Sequence, residues 1–202
     1  MNKVDAIKDI AVIHEILNYL MEQSERNHLL FAVGIYTGLR ISDYIALRII
    51  DVKGKEYIDI TEKKTQKENR IPINEELKQI IRRYCSGKRE YEYLFRSRKG
   101  NNEPITRVQA YRILKSAAQE FNLQCIGCHT TRKTFGHFLY QMTGDIELVC
   151  KCLNHSEAKI TARYIGLEQE EKDDAIKNIT YQNKKKITPN FQNEKPIFKR
   201  VK

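Results

Sequence analysis

Residues 129 to 164 constrain the fold more than any other stretch, because a helical pattern there carries polar side chains that must meet at one place. His129 and Arg132 stand three apart at the start of that pattern, a spacing that puts both on one face of a helix. The Asn154-His155-Ser156 step can open a later helix whose Tyr164, nine residues beyond His155, faces the same way. Such a grouping suits phosphoryl transfer. A guanidinium grips a phosphate with two parallel hydrogen bonds, an imidazole donates or shuttles a proton near neutral pH, and a phenol becomes a nucleophile once its proton has somewhere to go.

The rest of the chain predicts a mainly α fold with a small antiparallel β-sheet. Ile10, Ile13, Ile16, Leu17 and Leu20 recur at helical spacing, and the apolar run from Leu29 to Tyr36 stops at Thr37-Gly38. Arg40 opens a short helical stretch in which Ile41, Tyr44, Ile45 and Leu47 cover the buried side. Ile49 to Val52, Tyr57 to Thr61 and Asn69 to Ile73 are rich in β-branched residues and predict the sheet, with Lys63, Lys64 and Lys67 at the tip of its second hairpin. An amphipathic helix is expected over 75–85, then a basic loop holding Tyr91, Tyr93 and Phe95. Aromatics among Lys and Arg can contact nucleic acid, or Leu94-Phe95 can tuck into the core. Thr106-x-x-Gln109 forms a capping box that opens a helix through about Phe121, and a charged helix is expected from Leu167 to Ile179. Residues 1–180 read as one domain and 181–202, polar and basic with Pro189 and Pro196, as a flexible tail.

The 202 residues carry a net charge of +10, which points to a polyanionic partner. Seven basic residues and one acidic one between Tyr181 and Lys202 place +6 in the tail and leave +4 for the domain, an ordinary surplus. Neither a signal peptide nor a bilayer-length apolar run is present, so a cytoplasmic location without a membrane partner is expected. The five cysteines do not suggest a disulfide framework in a reducing compartment. Cys125-x-x-Cys128 and Cys150-x-Cys152 have enough thiolates for zinc, but the second pair lies in a helical pattern where neighbours two apart diverge, so buried or idle thiols are expected. With no Walker motif, Gly-rich fingerprint or carboxylate cluster, neither cofactor nor metal is expected.

Three separated motifs carry a resemblance. TGLRISDYIAL at 37–47 holds Arg40 and Asp43, TEKKTQKENRIPI at 61–73 holds the hairpin lysines, and the stretch from His129 to Tyr164 holds His-x-x-Arg, Leu-Asn-His and the terminal tyrosine. In this order they resemble the boxes of the tyrosine recombinases, also called the lambda-integrase family, over roughly residues 30 to 166. The resemblance implies that family's catalytic-domain fold and cleavage and rejoining of double-stranded DNA through a 3′-phosphotyrosine. It makes Tyr164 the nucleophile, Arg40 and Arg132 the phosphate clamp, and Lys64 (or its neighbour Lys63) the donor to the leaving 5′-oxygen. His129 would accept the phenol proton, His155 would donate to the phosphate, and Asp43 would orient Arg40. Tyr140, a rival nucleophile nearby, lacks a histidine at the family's spacing.

The implied partners are DNA, further copies of the chain in a synaptic tetramer, and accessory DNA-binding proteins. In the tail, Lys184, Lys185, Lys186, Lys199 and Arg200 would bind DNA, or Ile187, Phe191 and Phe198 would anchor it on a neighbouring protomer. Asn154 stands where the family usually has Gly and Thr131 where it usually has Leu, departures expected to soften the site without removing its chemistry. With Arg40 so near the start, the separate helical domain that usually precedes it is not expected, as in short members such as the fimbrial invertases. A non-catalytic DNA-binding regulator and a type IB-like topoisomerase are the competing readings.

Overall fold

The computed structural model describes residues 4–166 and 176–179. The tail from Tyr181, with Lys184, Lys185, Lys186, Lys199 and Arg200, lies outside the described residues, as does most of the helix expected over 167–179.

The core forms around a helix with almost no polar face. Helix α1, Ile10–Gln23, starts at Asp9, whose carboxylate accepts from the Ala11 N–H at 2.8 Å, and it buries Ile13, Ile16 and Leu20. It packs on α2, Glu25–Thr37, which buries every residue from His28 to Gly34, as expected of a helix enclosed by others. Helix α2 is in turn covered by α4, Glu75–Tyr84, by α5, Arg107–Glu120, and by α6, Thr130–Thr143. The capping box of α5 is present: Thr106 Oγ1 accepts from Gln109 N at 3.2 Å, and Gln109 Oε1 accepts from Thr106 N at 2.8 Å. A short α3, Ile41–Tyr44, follows the end of α2. Two further helices, α7 at Ile146–Cys152 and α8 at Ala158–Ile165, enclose a second small cluster of Val149, Leu153 and Ile165 against α6.

The sheet has two strands, β1 at Tyr57–Thr61 and β2 at Glu68–Pro72, antiparallel in register from Tyr57 opposite Pro72 to Thr61 opposite Glu68. Ile49–Val52 is not the expected third strand. Asp51 accepts from the Arg48 N–H at 2.7 Å and winds Ile49–Asp51 into a 3-10 turn that buries Ile49 and Val52, three apart, and leaves Ile50 exposed. The Ile49 and Ile50 N–H groups donate to the Glu92 and Glu90 carbonyls of the basic loop. That loop also turns Leu94 and Phe95 fully into the core, where Phe95 meets Tyr44 edge to face at 5.7 Å, while Tyr91 stays exposed. No helix among the described residues is long and apolar enough to cross a membrane.

Helices α2 and α6 approach closely at Gly34, where a Cβ would lie 2.5 Å from Thr131 Oγ1 and 2.7 Å from Thr131 Cβ. A small residue on each helix permits the contact, which gives Thr131 a packing reason. Gly34→Ala is expected to force the helices apart and to cost about 1–3 kcal/mol, read as a lowered Tm.

Candidate active site

Gly38 ends α2 in the left-handed region at φ 64°, and the turn delivers Arg40 to the N-cap position of α3. A side chain at Gly38 would be strained there and would overlap the Phe135 ring. The same turn holds the second arginine, because the Gly38 carbonyl accepts from Arg132 Nη1 at 2.7 Å. Arg132 is only 2 % exposed, and its Nη2 donates to the Leu153 carbonyl at the end of α7. Burial, and then the nearby Arg40 charge, lower its pKa from a value so high that the group stays charged. A guanidinium has five N–H donors, so two bonds to carbonyls anchor Arg132 without exhausting its capacity for an anion.

The carboxylate that pairs with Arg40 is Glu62, which the sequence reading passed over, rather than Asp43. Asp43 is buried and accepts from the Lys63 N–H at 3.1 Å, so it fixes the start of the hairpin tip instead. Glu62 follows β1 and is fully buried. It accepts from Arg40, from Thr65 Oγ1 at 2.8 Å, from Asn69 Nδ2 at 3.1 Å and from Asn154 Nδ2 at 3.0 Å. Burial alone would raise its pKa, but the hydrogen bonds from Asn154, Thr65 and Arg40, with the Arg40 charge, outweigh it and hold the carboxyl down at about 2. Lys63 and Lys64 are both exposed at the tip. The Lys64 charge is among those that lower the pKa of His155.

His155 sits in the turn between α7 and α8. Asn154 before it has φ 49°, a conformation open to Gly or Asn, so the departure from Gly keeps the backbone and adds an amide donor for Glu62. The expectation that 154–156 opens the next helix is corrected: Glu157 is the N-cap and α8 starts at Ala158. His155 Nδ1 lies 3.0 Å from Thr161 Oγ1, and that hydroxyl donates to the Glu157 carbonyl at 3.2 Å. With the Thr161 hydrogen on the Glu157 carbonyl, the ring donates from Nδ1 and Nε2 keeps its lone pair; with that hydrogen turned to the ring, Nε2 carries the proton. Burial, then Arg132 and Arg40, push His155 down to about 4.

Tyr164, on the last turn of α8, meets the His155 ring edge to face at 5.0 Å and the His129 ring at 6.5 Å, with Lys133 Nζ 5.0 Å from its own ring centre. Its hydroxyl is buried and makes no hydrogen bond of ordinary geometry among the described residues. Burial raises its pKa, against the opposing charges of Arg132 and Arg40 and a loose hydrogen-bonding contact from Arg132. His129 occupies the N-cap of α6 but makes no side-chain cap bond, so its imidazole is available to the site. Burial, followed by Arg107, Arg132, Arg40 and Lys133, lowers its pKa and keeps it neutral at pH 7. Tyr140 instead packs into the small apolar cluster with Val149, Leu153 and Ile165. Cys85 and Cys150 are buried and Cys125 and Cys152 exposed, and no cluster of His, Cys, Asp or Glu among the described residues could hold a metal ion.

The arrangement gathers two guanidiniums, a neutral imidazole and a buried phenol that feel one another's charge. Comparison with known proteins points the same way. A family model described as the phage integrase family matches residues 8–171. "Probable integrase/recombinase YoeC" of Bacillus subtilis (strain 168) is 45% identical over 170 residues, covering 84% of this chain and 93% of that protein. A "Tyrosine recombinase" of Pseudothermotoga lettingae is 28% identical over 175 residues, and there the match spans 58% of the relative's length. Among solved structures, the XerA recombinase superposes with a TM-score of 0.69 at 18% identity, over 88% of this chain and 65% of its own. The XerH site-specific recombinase, in a post-cleavage complex with a palindromic difH substrate, superposes with a TM-score of 0.64 at 22% identity over 88% of this chain and 54% of its own.

Proposed function

The chain belongs to the phage integrase family, that of the tyrosine recombinases, and from that premise we propose that it is a site-specific DNA recombinase that cuts and rejoins strands through a 3′-phosphotyrosine. The observation that carries this reading is the surrounding of Tyr164: a buried hydroxyl flanked by two imidazoles and within reach of Arg132, with Arg40 also close enough to act on its pKa. In the reaction, Tyr164 Oη attacks the backbone phosphorus and the bond from phosphorus to the 5′-oxygen breaks. A raised pKa keeps the phenol neutral at pH 7, so its proton must leave during attack, and neutral His129 is the acceptor. Lys64 gives a proton to the departing 5′-oxygen.

Arg40 and Arg132 bind the non-bridging oxygens and stabilise the charge that grows on them. His155 can donate from Nε2 only when that nitrogen is protonated, and a bound phosphate raises its pKa by supplying the negative charge the free site lacks. Attack by the freed 5′-hydroxyl of another strand reverses the step. The phosphotyrosine retains the energy of the phosphodiester, so no nucleotide cofactor is needed.

Double-stranded DNA is the proposed substrate, met in the cytoplasm on the nucleoid, with further copies of the chain on paired sites. Two solved relatives support this: XerH bound to its difH substrate and a lambda integrase dimer bound to a COC′ core site. The test is a DNA substrate nicked so that cleavage loses a short 5′ fragment. A denaturant-resistant protein–DNA adduct is the expected result, and its absence under every condition would favour the non-catalytic regulator.

The tail at 181–202, outside the described residues, is proposed to supply affinity through its +6 charge. Each neutralised phosphate contributes a log–log salt slope of about −0.9. Deleting residues 183–202 is therefore expected to weaken binding at physiological salt and flatten that slope, with adduct formation restored at saturating DNA. If instead Phe191→Ala with Phe198→Ala left monomer binding unchanged but lost activity on paired sites, the tail docks on a neighbouring protomer.

A further inference from the structure

We propose that Glu62 is a positioning residue of the cleavage site, whose one carboxylate aims Arg40, closes the turn that carries Lys64, and through Asn154 ties both to the turn that carries His155. The inference rests on the recombinase reading and adds to it a residue that touches no substrate. A fully buried carboxylate is costly unless its oxygens are well supplied with donors, and Glu62 has four, from separate parts of the fold. Oε2 takes Arg40 from the entrance of α3 and Thr65 from the hairpin tip. Oε1 takes Asn69 from β2 and Asn154 from the turn after α7. The backbone of the same residue closes the tip: Glu62 N donates to the Lys67 carbonyl at 2.9 Å, and the Glu62 carbonyl accepts from Gln66 N at 2.8 Å. Lys64 lies inside that closed turn.

Three groups assigned to the cleavage step thus stand on, or next to, partners of one carboxylate. Arg40 bonds to it directly, Lys64 is adjacent to Thr65, and His155 is adjacent to Asn154. The carboxylate also subtracts a charge from the cluster of Arg40 and Arg132. Its neutral isostere would therefore leave the site more positive but less well aimed. Glu62→Gln turns one oxygen into an NH2 group that faces donors, so Arg40 or Asn154 must turn away.

The expected result is a split between binding and rate. In Glu62→Gln, DNA affinity is unchanged or tighter, while adduct formation at saturating DNA falls by about 10- to 100-fold, the scale of a reacting group misplaced by about 1 Å. Asn154→Gly keeps the left-handed backbone and removes only the amide, and it should slow adduct formation by about 3- to 10-fold, the scale of one hydrogen bond, with unchanged affinity. If Asn154 acts through Glu62, adding Asn154→Gly to Glu62→Gln should produce no further loss.

Loss of affinity and rate in equal measure, or strictly multiplicative effects in the double variant, would overturn the positioning role. So would an undiminished rate in Glu62→Gln while the unsubstituted protein forms the adduct. An unsubstituted protein that never forms the adduct would overturn the recombinase reading itself, and this role with it. Should Glu62→Gln fail to fold, Asn154→Gly decides alone: a slower rate at unchanged affinity supports the role and an unchanged rate removes it.

Discussion

Tyr164→Phe is expected to abolish the covalent adduct while leaving DNA binding and folding intact. The ring contributes packing against His155, His129 and Lys133, and phenylalanine retains all of it. The hydroxyl has no hydrogen-bond partner of ordinary geometry among the described residues, and removing it costs only a looser contact with Arg132. A contact of that kind is worth about 1 kcal/mol, so the variant should melt within a few degrees of the unsubstituted protein. Lost chemistry with little change in stability is the signature of a group kept for reaction rather than for folding. A denaturing gel, a binding titration and a thermal melt give the three readouts. An adduct that survives in Tyr164→Phe would place the nucleophile elsewhere, and Tyr140, packed in an apolar cluster, would first have to leave it.

Arg132→Lys is expected to reduce adduct formation by about 10²- to 10³-fold at saturating DNA, although the formal charge is kept. The guanidinium spans from the Gly38 carbonyl to the Leu153 carbonyl and so joins the end of α2 to the end of α7. An ammonium cannot hold both and still present a planar fork to a phosphate. One buried carbonyl then loses its partner, with an expected stability loss of about 1–3 kcal/mol. Rates therefore need to be taken well below the variant's melting temperature. A rate near that of the unsubstituted protein would remove Arg132 from the phosphate clamp.

Much of the helical framework was legible because it depends on local patterns. The apolar run of α2, the Thr106 to Gln109 capping box and the amphipathic α4 each follow from residues within a few positions of one another. Likewise, the spacing of His129 and Arg132 puts those two on one face of α6, whereas packing of α6 on α8 brings them to His155 and Tyr164. Ile49–Val52 misled because β propensity is weak, and an Asp51 carboxylate bonded to the Arg48 N–H outweighs it. Leu94 and Phe95 had two readings open, and burial in the main core decided between them.

Glu62 was hidden for a different reason. Its partners lie 22, 3, 7 and 92 positions away, and no periodicity links them. Read in sequence, Asp43 was the natural partner for Arg40, three residues away and on the same short helix. In the fold, Asp43 turns to the Lys63 N–H, and the end of β1 brings the other carboxylate to Arg40. Sequence alone determined which side chains capable of phosphate chemistry the chain carries and that His129 and Arg132 share a helix, because residue identity and helical spacing are local properties. Which carboxylate holds which arginine and why an asparagine stands at 154 were decided only by tertiary structure, because a buried charge takes whichever donors packing brings within hydrogen-bond reach.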